Sequence, residues 1–173
     1  MKLKLEILIL LIIFCGFSTF SQSTRSLIKE ADKAFEAGNY YGAVDGYLKA
    51  LKSNKITKIA YKCAEAYRYN YNYQEAEKWY AYVIKKDPDK FPLARFWLGD
   101  VYKSMGKYQK AQYQFSKFLK IIEDENIKLD DLYMKKVKHE LIACEKAFYY
   151  KLDPKGVAIE HLDTMINSVY SDF

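Results

Sequence analysis

From residue 24 to residue 122, small and aromatic positions return in the same order three times. The first unit reads Ala31, Gly38, Tyr40, Ala43, Tyr47, Ala50. The second reads Ala64, Tyr71, Tyr73, Ala76, Tyr80, Val83, and the third Gly99, Gly106, Tyr108, Ala111, Phe115, Phe118. Thirty-three residues separate Ala31 from Ala64 and 35 separate Ala64 from Gly99, with the two extra residues beside Pro88 and Pro92 in a predicted turn. A repeat of this length calls for one supersecondary unit per period. Within each unit Tyr47, Tyr80 and Phe115 stand four residues after Ala43, Ala76 and Ala111, so each pair shares a helical face. A polar turn precedes each second helix (Gly38-Asn39, Asn70 to Asn72, Gly106-Lys107), and Gly or Asn there takes the left-handed backbone that ends a helix. Every unit therefore predicts a helix, a tight turn and an antiparallel helix, with Ala31, Ala64 and Gly99 letting the two approach. One pair cannot bury its apolar face alone, whereas stacked neighbours can.

A further helix is predicted over 129–150, where Tyr133, Val137, Leu141, Cys144 and Phe148 recur at steps of three and four. Leu129-Asp130-Asp131 places acids at its start, where the helix dipole favours them. Lys151 and Pro154-Lys155-Gly156 end it. With no evident second helix, it reads as a cap on the last unit. The fold class is thus all-α: a right-handed α-solenoid of three helix pairs (about 24–56, 57–91 and 92–125) and a capping helix, together spanning 22–152.

The register resembles the tetratricopeptide repeat over residues 24 to 122. That family has small residues at its eighth and twentieth positions, aromatics near its seventeenth and twenty-fourth, and often a proline at its thirty-second. Asp87-Pro88 matches the proline in the second unit; the first has Asn54-Lys55, and Trp97 sits near the family's early tryptophan. The resemblance implies a concave groove lined by the first helix of each pair. Its positions correspond to Ile28, Asp32 and Phe35 in the first unit. In the second they are Tyr61, Glu65, Arg68 and Tyr69, and in the third Phe96, Asp100 and Lys103. Aromatic and Arg residues are typical interface anchors, so the implied partner is a protein or peptide segment. The chaperone-binding members grip a terminal carboxylate with Lys and Asn at fixed groove positions. Ile28 and Asp32 occupy the first two of those here, which argues against that activity.

Composition sharpens this picture. Half of the 173 residues are hydrophobic, 17 are tyrosines, and Gly and Pro number only 7 and 3. Tyrosine suits half-buried surfaces because its ring packs while its hydroxyl stays wet. The net charge of +6 is spread among acids rather than clustered, unlike the basic stripe of a nucleic-acid binder. Glu123-Asp124-Glu125 with Asp130-Asp131 lacks the glycine and alternating spacing of a calcium loop and reads as a solvated turn. There is no CxxC or Cys/His cluster, and the histidines are His139 and His161. No phosphate loop or nucleophile–base arrangement appears. The expectation is a protein without catalytic residues, cofactor or metal.

The two ends speak to location. Lys2 and Lys4, the apolar run Ile7 to Phe17 and the small residues Thr19 and Ser21 read as a signal peptide over 1–21, cleaved before Gln22. The run is short for a membrane helix, which needs about 20 residues. An uncleaved N-terminal helix tethering an adaptor is the alternative. Cys15 follows the bulky Phe14, which disfavours lipid modification. Cys63 and Cys144 read as small buried residues in non-adjacent units, too far apart for a disulfide. Residues 153–173 read as a non-helical tail, poorly ordered from about 157. Ile166-Asn167-Ser168 and Tyr170-Ser171-Asp172-Phe173 resemble the "INS-x-YSDF" stretch that opens the β-propeller of Bacteroidota OmpA-family envelope proteins. In these a signal peptide and tetratricopeptide repeats come first and a peptidoglycan-binding domain last, and one type serves type IX secretion and gliding. The chain reaches only the start of that propeller, so peptidoglycan binding does not carry over. The resemblance implies an exported, periplasmic, outer-membrane-associated scaffold.

Overall fold

A computed structural model describes residues 23–53, 56–124, 127 and 131–154. The expected signal segment, Cys15, the Leu129-Asp130 helix start, Glu125 and the tail beyond 154 lie outside the described residues. Seven helices are described: α1 (Thr24–Glu36), α2 (Tyr40–Ser53), α3 (Thr57–Tyr69), α4 (Tyr73–Lys86), α5 (Leu93–Ser104), α6 (Tyr108–Asp124) and α7 (Asp131–Leu152). Helices α1/α2, α3/α4 and α5/α6 form three pairs, each packed on the next. Helix α7 lies against α6, where the first helix of a fourth pair would stand. The result is an all-α solenoid with α1, α3, α5 and α7 along one side and α2, α4 and α6 along the other.

The recurring positions form the core. Ala43, Ala76 and Ala111 are fully buried, as are Tyr80, Phe115, Val83 and Phe118; Ala31, Tyr47 and Ala50 are nearly so. Size matters more than polarity at the crossing points. A methyl group added to Gly46 would stand 2.8 Å from the Ala31 Cβ, and one added to Gly99 would stand 2.6 Å from Phe115 Cε1. These are below van der Waals contact, so the helices pass at distances that only small residues permit. Phe96, Phe115, Phe118 and Tyr133 then form an aromatic cluster that ties α7 to the third pair, with centroids 5.5–5.7 Å apart around Phe96. Full burial of one such ring is worth about 1.5–3 kcal/mol.

The turns follow one recipe with one departure. Gly38 and Gly106 have φ of 76° and 68°, as a left-handed helix end requires. In the second unit the left-handed residue is Tyr71 (φ 57°), while Asn70 and Asn72 both have φ of −85°. The expectation that an asparagine bends this turn is therefore corrected. Asn72 instead caps α4, its side chain accepting from the Glu75 amide at 3.3 Å. Asn39 does the same for α2, accepting from Gly42 at 2.9 Å. These amide oxygens satisfy donors that a helix start leaves open. Ser23 likewise caps α1 by accepting from the Ser26 amide.

Helix α7 begins at Asp131 and ends at Leu152. It buries Val137 and Cys144 fully, with Tyr133 and Leu141 packed beside them, the face that the three-and-four spacing picks out. Cys63 and Cys144 are both buried free thiols, on α3 and α7. Burial pushes the Cys63 thiol up to about 12, so it is unreactive at neutral pH.

Candidate partner-binding groove

An open cavity of about 260 Å³ lies along the inner side of α1 and α3. Its walls are the rings of Phe35, Tyr47, Tyr61 and Tyr69, and its polar groups are Asp32, Glu36, Lys62 and Glu65. Helical spacing places them. Asp32, Phe35 and Glu36 are neighbours on one stripe of α1, and Lys62, Glu65 and Tyr69 on one stripe of α3.

One arrangement repeats in the first two units. Tyr47 Oη on α2 donates to Asp32 Oδ1 at 2.6 Å, and Tyr80 Oη on α4 donates to Glu65 Oε1. In each unit the carboxylate follows the small contact residue (Ala31-Asp32, Ala64-Glu65), and the tyrosine reaches it from the second helix fifteen residues on. The third unit keeps the acid, Asp100, but has Phe115 in place of the tyrosine. Without the hydroxyl, Asp100 faces Lys103, 3.9 Å away.

Cations link adjacent units along the inner side. Lys62 Nζ on α3 donates to both oxygens of Asp32 on α1, at 2.7 Å. Arg68 pairs with Glu65 at 2.8 Å and donates to Tyr80 Oη at 3.3 Å. Its guanidinium stands 3.9 Å from the Trp97 ring centroid on α5 and 4.3 Å from that of Tyr69. Such stacking contributes on the order of 0.5–2 kcal/mol. Lys103 on α5 meets Glu140 on α7 at 2.6 Å.

The charges shift accordingly. Burial acts to raise the Asp32 carboxyl, but the hydrogen bonds from Lys62 and Tyr47 and the Lys62 charge outweigh it and hold it below the usual range. Tyr47 and Tyr80 are driven upward, first by burial and then by the carboxylates they serve. Burial disfavours the charged Lys103, yet Glu140 and Asp100 raise it overall. Arg68 is likewise raised, its partner Glu65 overcoming desolvation.

Of the residues assigned to the groove by register, Asp32, Phe35, Tyr61, Glu65 and Tyr69 come together around this cavity. Arg68 stands behind Tyr69 as the link to α5. Ile28 is half-buried on α1, packed on the core rather than lining the cavity. Phe96 requires correction: it is 0% exposed, sealed among Trp97, Phe115, Phe118 and Tyr133, and has no surface to offer a partner. Asp100 and Lys103 sit beneath α7, where Glu140 takes up the lysine. Helix α7 thus covers the groove of the third unit. Register reasoning missed Lys62, Glu36, Tyr47 and Trp97. Lys62 was findable, being one turn before Glu65 and two before Tyr69 on the same helical stripe.

Among the described residues, no cluster of His, Cys, Asp or Glu is placed to hold a metal ion, and no helix is long and apolar enough to cross a membrane.

This arrangement of paired helices with a lined inner face is the tetratricopeptide-repeat fold, and solved structures bear that out. The chain is similar to the tetratricopeptide domain of Sgt2 from Aspergillus fumigatus, with 18% identity, a TM-score of 0.61, and coverage of 84% of this chain and 93% of that one. It is similar to the yeast Sti1 TPR2B domain in its pHsp70 complex, with 15% identity, a TM-score of 0.62, and coverage of 71% and 96%. The first such domain of Spaghetti (RPAP3), bound to the HSP90 peptide SRMEEVD, gives 19% identity, a TM-score of 0.61, and coverage of 75% and 95%. At these identities the likeness establishes the fold. Neither a family model nor a curated protein sequence matches the chain.

Proposed function

We propose that this protein is a non-catalytic protein–protein interaction scaffold whose binding surface is the inner side of α1 and α3. One observation carries the reading. Aromatic rings and ionic groups are concentrated on that side and held there by bonds to neighbouring helices, with Asp32 fixed by Tyr47 and Lys62 and Arg68 fixed by Glu65, Tyr80 and Trp97. A surface so preorganised loses little conformational freedom on binding. The shared fold supports the reading, since two of the similar domains are seen in complex with pHsp70 or the HSP90 peptide. The carboxylate of Asp32 stands where gripping a partner's terminal acid would require a donor, so the partner differs in chemistry from an acid-tailed one.

In this proposal the protein acts in the bacterial cell envelope, exported to the periplasm and associated with the outer membrane in a secretion or peptidoglycan-linked complex. The signal-like N-terminus and the resemblance to the Bacteroidota envelope proteins support that placement. N-terminal sequencing of exported protein tests it. A start at Gln22 fits, whereas an intact apolar segment favours the membrane-tethered adaptor. The scaffold role is tested by affinity capture from envelope extracts with the full exported chain and with a Tyr61→Ala, Tyr69→Ala variant. A specific protein retained by the first and lost by the second is expected. Equal retention by both refutes groove binding.

A further inference from the structure

We propose that the cavity between α1 and α3 receives an arginine side chain contributed by the protein partner. This rests on the scaffold reading and specifies its chemistry. Three observations lead to it.

The first is size. At about 260 Å³ the cavity falls below the ~300–1,000 Å³ typical of small-molecule and cofactor sites, so it suits one inserted side chain.

The second is the charge inventory. Asp32 is bonded to Tyr47 and Lys62, Glu65 to Tyr80 and Arg68, and Lys62 to Asp32. Glu36, at the end of α1 beside Phe35, makes no hydrogen bond or ion pair with any described residue. Lys58, one turn before Lys62, acts on Asp32 but does not line the cavity. Among the described residues, the one ionic group left open at the cavity is therefore a carboxylate, and its complement is a cation.

The third is the wall. Phe35, Tyr61 and Tyr69 line the same cavity as that carboxylate with ring surface, and the phenol and carboxylate oxygens accept hydrogen bonds. Arginine matches both demands. Its planar guanidinium lies against rings while donating in a fork to a carboxylate. The protein already uses this contact internally, with Arg68 against Tyr69 and Trp97 and paired to Glu65. Lysine supplies the charge without the fork, and an acidic side chain would meet the open Glu36 while Lys62 and Arg68 are already committed to Asp32 and Glu65.

The test is an NMR titration of the full exported chain with N-acetyl-arginine N-methylamide, following the ring signals of Phe35, Tyr61 and Tyr69. The neutral isostere N-acetyl-citrulline N-methylamide serves as the comparison. The arginine probe is expected to shift these signals saturably, with an affinity on the order of millimolar for a single side chain. Citrulline is expected to bind roughly tenfold more weakly, and Glu36→Gln to weaken arginine binding by a similar factor. Because Glu36 is exposed, this variant leaves the fold intact, which an unchanged melting curve verifies. The inference is overturned if the shifts fail to saturate, if citrulline binds equally well, or if Glu36→Gln changes nothing. If the arginine probe fails while envelope capture still depends on Tyr61 and Tyr69, the groove stands and only this chemistry falls. If both fail, the groove reading falls with it.

Discussion

Replacing Tyr80 by Phe removes one oxygen and leaves the ring. That hydroxyl is buried on a fully buried side chain. It donates to Glu65 and accepts from Arg68 at 3.3 Å. The ion pair it joins is itself secluded, with Arg68 and Glu65 side chains 11% and 16% exposed. Water has little access to replace the lost bond, and a hydrogen bond to a charged group contributes about 1.5–3 kcal/mol. The expected loss is about 2 kcal/mol, or roughly 4–8 °C in melting temperature for a domain of this size. Tyr47→Phe makes the matched comparison. Its acceptor Asp32 is 33% exposed and keeps Lys62, so water and the ammonium compensate and the loss is about 1 kcal/mol or less. Urea denaturation followed at 222 nm, with the slope checked for constancy, gives both values. A Tyr80→Phe, Glu65→Gln cycle isolates the pair. Equal losses, a reversed order or negligible coupling would refute the claim that this hydroxyl holds the carboxylate in place.

Three further outcomes are expected. Gly99→Ala places a methyl 2.6 Å from the Phe115 ring; overpacking of about 1–3 kcal/mol outweighs the ~1 kcal/mol gained in helix propensity, so urea denaturation should show net destabilisation. Tyr71→Gly relieves a left-handed backbone (φ 57°) at a 78% exposed side chain and should raise stability by about 0.5–1 kcal/mol, whereas Gly106→Ala should lower it by about 1 kcal/mol, both read from denaturation midpoints. For pH, the depressed Asp32 carboxyl contributes stability that is full above its ordinary value of 3.8 and lost as pH falls through its folded value. The raised Lys103 contributes stability that is full below its ordinary value of 10.5 and lost as pH rises through its folded value. Asp32→Asn should therefore flatten the acid limb and Glu140→Gln the alkaline limb of stability measured against pH.

Much of the fold was legible because small and aromatic residues at a fixed period have one packing solution. Ala43, Ala76 and Ala111 had to be contact points, and the structure buries all three. The site was legible in part. Asp32, Phe35, Tyr61, Glu65 and Tyr69 follow from register alone, and the fifteen-residue step from Asp32 to Tyr47 recurs from Glu65 to Tyr80. Phe96 was misread for a tertiary reason. Its register is that of Tyr61, but α7 brings Tyr133 onto it, and no local pattern reveals which helix face a distant segment will cover. The left-handed Tyr71 escaped because local preference favours the flanking asparagines. The surrounding turn imposes the geometry on the residue two places before the second helix of each pair (Gly38, Tyr71 and Gly106), and that place is set by the repeat rather than by residue type.

The most direct test of the account is the thermal unfolding of chains carrying Ala43→Leu, Ala76→Leu or Ala111→Leu, followed by circular dichroism at 222 nm. If helix pairs stack through these fully buried small contacts, each leucine should cost about 1–3 kcal/mol of stability, lowering the midpoint temperature and broadening the transition. A midpoint and cooperativity unchanged in all three would contradict it.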